Sequence, residues 1–87
     1  MADEPTDEWL MKQAEMQIQS YYNPSDIEWE YARRDALVPD WSQADKVHDW
    51  RNHVSKPMQG LWNLMPLWVR LLVYFRAEDD ASSEEWD

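Results

Sequence analysis

The chain has 87 residues, a formal net charge of −10, seven Trp, one Gly and no Cys. That length allows one small domain, and the missing Cys rules out disulfides and thiolate zinc sites. Eighteen Asp and Glu against eight Lys and Arg disfavour direct binding to phosphate backbones, which needs clustered cations that release counterions.

Acidic chains stay unfolded unless they bury enough apolar surface to offset chain entropy. Here Trp9, Trp29, Trp41, Trp50, Trp62 and Trp68 are the side chains able to supply it. The expectation is an aromatic core inside an acidic shell. One Gly and no strict polar/apolar alternation argue against sheets. The fold class read from this is all-α, a small bundle of three to four short helices over residues 1–76, with an acidic tail over 77–87.

The start, Met1-Ala2-Asp3-Glu4-Pro5, has neither the basic region nor the apolar stretch of a secretory signal, which predicts a soluble, cytoplasmic protein. Thr6 is a good N-cap for a first helix over 6–22, with Asp7 and Glu8 in its first turn. Asn23-Pro24 stops that helix. Ser25 and Glu28 have capping-box spacing and predict a second helix over 25–38, ended by Pro39. Asp40 through Gln43 reads as another box, opening a third helix over 41–54 that carries Val47, Trp50 and Val54.

Ser55 caps the last predicted helix, 57–77, with Pro57 in its first turn. Leu61, Leu64, Met65, Trp68, Val69, Leu72 and Phe75 follow helical spacing, and Pro66 should kink or split the run. Gln59, Asn63 and Arg70 interrupt it too often for a membrane span, and its acidic flanks do not suit a membrane surface. The predicted core is Trp50, Leu61, Leu64, Trp68, Leu72 and Phe75. Six of the last eleven residues are acidic and none is basic, which predicts fraying or disorder from Ala77 onward.

No catalytic or cofactor signature is visible. Asp49 and His53 stand at i, i+4 and His48 lies beside them, but two ligands are too few for zinc. Ser20, Ser42 and Ser55 lack a nucleophile motif, and one Gly cannot build a phosphate loop. The reading is a non-enzymatic protein with no metal and no cofactor.

Trp86, between Glu85 and Asp87, is an aromatic in a negative string, like the tails of single-stranded-DNA-binding proteins that dock into basic pockets. Arg33-Arg34-Asp35-Ala36-Leu37, then Asp40-Trp41-Ser42-Gln43 and Trp50-Arg51, resembles the C-terminal motif of tail-assembly chaperones of tailed phages. The similarity covers residues 33–51. The spacers here are shorter, and the Arg-Gln-Ala-Leu-Arg run that follows in that family is missing. The resemblance implies a phage-encoded protein.

Two functions fit. One is an acidic inhibitor or nucleic-acid mimic that covers a basic, nucleic-acid-binding surface of a host or phage protein. The other is an assembly chaperone or adaptor that binds through Trp-rich helices. The partner is another protein in both cases, and a homodimer is a further expectation because the apolar run has little company in so short a chain. The candidate contact residues are Asp26, Glu28 and Glu30 of the second helix, with Glu78, Asp79, Asp80, Glu84, Glu85 and Trp86 of the tail.

Overall fold

Local chemistry starts each helix. In the computed structural model, which describes residues 5–43 and 49–85, the Trp9 amide donates to Thr6 Oγ1 at 3.1 Å and opens α1, Asp7–Tyr21. Asn23 ends the turn in the left-handed region (φ 52°), which Asn tolerates better than most residues, and the Tyr22 amide returns to the Ile18 carbonyl at 2.8 Å. The capping box then forms as its spacing predicts: the Glu28 amide donates to Ser25 Oγ at 3.3 Å and the Ser25 amide to Glu28 Oε1 at 3.4 Å. It opens α2, Asp26–Leu37. Arg33 of α2 reaches back across the turn to Glu15 of α1 at 3.4 Å.

The single helix expected over 41–54 is not present. Trp41–Gln43 and Trp50–His53 are separate 3₁₀ turns, and Asp49 between them has extended backbone (φ −81°, ψ 130°). A short acidic side chain explains the break at Asp49, because it captures a nearby amide in place of the helical ladder, as Asp40 does at the start of the Trp41–Gln43 turn. Asp40 Oδ1 accepts from the Ser42 amide at 3.1 Å, and Asp49 Oδ1 from the Arg51 amide at 3.0 Å. Val47 and His48 lie outside the described residues.

Pro66 splits the apolar run. Before it come α3, Lys56–Leu61, capped by Ser55, and a 3₁₀ turn, Trp62–Leu64; after it comes α4, Leu67–Glu85. The fold is all-α, with α4 packed against α1, α2 and the Trp50–His53 turn. Trp29 meets Phe75 at 4.9 Å near one end of α2, and Arg70 meets the Leu37 carbonyl at 3.1 Å at the other. Helix α4 therefore runs antiparallel to α2.

The expected core is half right. Trp50 and Phe75 are buried, and Trp68 and Leu72 are half-buried. Leu61 and Leu64 are 53% and 81% exposed, so neither belongs to the core. The 3₁₀ turn before Pro66 changes the helical phase, so the buried residues of α4 are Leu71, Tyr74, Phe75, Ala77 and Ala81. Trp62, Ile18 and Leu71, with Phe75, are the largest fully buried side chains. Of the Trp residues expected inside, Trp29, Trp50 and Trp62 are buried, Trp41 is half-buried and Trp9 is 51% exposed.

The acidic run from Ala77 begins inside a helix. Helix α4 continues through Glu85, because Ala77 (2% exposed) and Ala81 (1%) face the core from within the acidic run. Only small side chains mark that buried face. Trp86 and Asp87 lie outside the described residues.

Candidate protein-binding face

Rings in contact run through the molecule. Trp41, Trp50 and Trp62 meet in pairs at 5.3–5.7 Å; Trp50 meets Tyr74 at 4.7 Å, Tyr74 meets Phe75 at 5.1 Å, and Phe75 meets Tyr22 at 5.4 Å. Most of these pairs are tilted or edge-to-face, the geometry that ring quadrupoles favour. Trp29, against Phe75 at 4.9 Å, carries the stack across the α2–α4 seam, and the seam places acids from distant parts of the chain together.

Glu28 and Glu78, fifty residues apart in sequence, line one recess of about 150 Å³ with Tyr22, Tyr31, Tyr74 and Phe75. Glu78 is half-buried. Burial is the main influence pushing its carboxyl above the usual carboxylate range; the Tyr74 hydroxyl, donating to it, opposes this, and the charges of Asp49, Asp35 and Glu28 add to it. Tyr22 and Tyr74 are raised above the ordinary phenol value, by burial first and then by nearby carboxylates, Glu78 the largest for each. The seam therefore carries a concentrated negative field.

A wider cleft of about 930 Å³ adjoins it. Asp35, Asp40, Asp49 and Glu78 contribute carboxylates, and Arg34 and Arg51 contribute guanidinium groups. Arg51 is held internally: Nε donates to Asp49 Oδ1 at 2.9 Å and Nη1 to the Asp40 carbonyl at 2.8 Å. The hydrogen bond that Arg51 donates to Asp49 is the main cause holding the Arg51 pKa above its usual value. Arg34 lies over the Tyr31 ring at 5.4 Å.

The predicted contact residues divide accordingly. Asp26, Glu28 and Glu30 are exposed on the first half of α2, and Asp26 and Glu30 border a shallow depression with Glu15 and Arg33. Asp80 is exposed and Asp79 half-buried on α4, on the helix that carries Glu78 into the seam. Glu84 and Glu85 occupy its last turn. Trp86 lies outside the described residues. Sequence reasoning missed Asp35 and the tyrosines, although Tyr31 stands three residues after Glu28 on α2 and Tyr74 four before Glu78 on α4; the seam adds the meeting of the two helices.

Asp49 and His53 do not form a helical i, i+4 pair, since Asp49 caps the turn that contains His53 and binds Arg51. Among the described residues no group of three or more His, Cys, Asp or Glu is placed to hold a metal ion. No described helix is long and apolar enough to cross a membrane. The residues behind the phage-chaperone resemblance have structural partners here: Arg33 pairs with Glu15 and lies over Trp29 at 5.9 Å, and Trp41 joins the ring stack. No family model, curated protein or solved structure matches the chain.

Proposed function

We propose that this is a non-enzymatic, phage-encoded protein that uses an acidic face to cover a basic, nucleic-acid-binding surface of another protein. The observation that carries this reading is the meeting of carboxylates at the α2–α4 seam, where Glu78 lines one recess with Glu28 and the adjoining cleft with Asp35; exposed Asp26, Glu30 and Asp80 add negative charge beside other recesses of the same two helices. Carboxylates held on rigid helices present a preorganised negative surface, which speeds encounter with a basic one and fixes its register. The Trp residues support it too, since Trp29, Trp50 and Trp62 are consumed by the core.

A chaperone or adaptor role is the second reading. It is favoured by exposed Leu37, Val38, Leu61 and Leu64. Arg70 binds the Leu37 and Asn63 carbonyls together, so the ends of α2 and of the Trp62–Leu64 turn are neighbours. A second copy of the chain would pair most simply there.

Capture from host lysate at low and high salt separates the two. An acid-driven partner is lost at high salt, is displaced by duplex DNA, and fails to bind when Asp26, Glu30 and Asp80 are all changed to Lys. Capture that survives high salt and the triple reversal, and that Val38→Asp abolishes, assigns the adaptor role instead.

A further inference from the structure

The structure assigns the recess between Tyr22, Tyr31, Tyr74 and Phe75, with Glu28 and Glu78 at its edge, as a receptor for one arginine side chain of the basic partner. This rests on the acidic-face reading and names its anchoring contact. At about 150 Å³ the recess is smaller than the roughly 300–1,000 Å³ of sites that enclose a free small molecule, so it suits a single head group.

Its walls are the chemistry a guanidinium needs. Ring faces attract cations through their quadrupole, and a planar guanidinium also stacks on them. Tyr74 and Phe75 are buried and close the floor of the recess, while Tyr31, 50% exposed, forms the outer wall and offers the accessible ring. Tyr31 already holds one cation, Arg34, at 5.4 Å from its ring.

Two carboxylates approach from different helices. Glu28 uses Oε1 for the capping box, and among the described residues Oε2 makes no hydrogen bond. The Glu78 carboxylate takes the Tyr74 hydroxyl and keeps acceptor capacity beyond it. A cation seated beside Glu28 and Glu78 relieves the repulsion that Glu28 and Asp35 exert on Glu78, so the recess is electrostatically suited to one.

The test uses the full chain and a fluorescent octa-arginine peptide, read by anisotropy at physiological ionic strength. Glu28→Gln with Glu78→Gln removes both recess charges while Gln keeps the capping box and the Tyr74 acceptor. Asp7→Asn with Glu8→Gln removes the same charge from exposed positions on α1. A receptor predicts at least about tenfold weaker binding for the recess pair, and a loss of about threefold or less for the α1 pair. Tyr31→Leu, which leaves charge unchanged, should weaken binding about three- to tenfold. Equal loss for the two pairs, with Tyr31→Leu silent, overturns the recess and leaves the acidic face standing. No binding of octa-arginine to the native chain overturns both.

Discussion

The Trp62 indole N–H donates to the main-chain carbonyl of Ala36 at 2.6 Å, joining the turn before Pro66 to the last turn of α2. The last carbonyls of a helix have no partner within it, so a buried one must find a donor elsewhere. Trp62 provides that donor and fills the core at the same point, at 1% exposure.

Trp62→Phe keeps a ring and removes the donor, leaving the Ala36 carbonyl unsatisfied. The expected loss is about 1–3 kcal/mol. Trp62→Ala should cost more, about 3–5 kcal/mol, because it also opens a cavity. Urea unfolding should show lower midpoints for both, with slopes unchanged. Equal stability of Phe and native chains would show that the hydrogen bond contributes nothing net.

Arg70 makes a second staple. Its guanidinium donates to the carbonyls of Met65 at 2.8 Å, Leu37 at 3.1 Å and Asn63 at 3.2 Å. Arg70→Met should lose about 1–3 kcal/mol, and Lys should recover less than half, since an ammonium cannot reproduce the planar fork. Thermal melts compare the three chains, and full rescue by Lys would reduce the role of Arg70 to its charge.

How far the sequence foretells this molecule depends on the range of the interaction. The caps at Thr6, Ser25 and Ser55, the stop at Asn23-Pro24 and the break at Pro66 are decided within a few residues, and all are legible. The phase of α4 is not, because the turn at Trp62–Leu64 rotates the helix relative to the spacing that begins at Leu61. Arg70 reads as an interruption of an apolar run, and only the fold shows the carbonyls it joins. The acids of α2 and of the C-terminal run are visible as candidates, but their meeting at Glu28 and Glu78 requires the α2–α4 packing.

The buried alanines of α4 give a direct test of where the domain ends. Ala81→Glu keeps helix propensity and the acidic character of the segment, yet it forces a long charged side chain into a position 1% exposed. It should destabilise the fold by about 1–3 kcal/mol. The neighbouring Asp80→Ala, at an exposed position, should stay within about 0.5 kcal/mol of the native chain. If both were neutral, the acidic segment would be an appendage and the domain would end at residue 76.

Glu78 predicts the pH dependence of stability. Its carboxyl titrates above the ordinary range in the folded chain, chiefly because of burial, so between the unfolded value and the raised folded value the folded state binds more protons. Stability from this group is therefore fully present below the unfolded value and is lost as pH rises through the folded one. Glu78→Gln stays neutral throughout and still accepts the Tyr74 hydroxyl, so it escapes that loss. The variant should match the native chain below about pH 4 and become the more stable of the two as pH approaches neutrality. Subtracting one urea-derived stability curve from the other cancels the remaining acids, which titrate alike in both. A variant less stable than the native chain at neutral pH would show that the Tyr74 bond to the charged carboxylate outweighs burial and the repulsion from Asp49, Asp35 and Glu28.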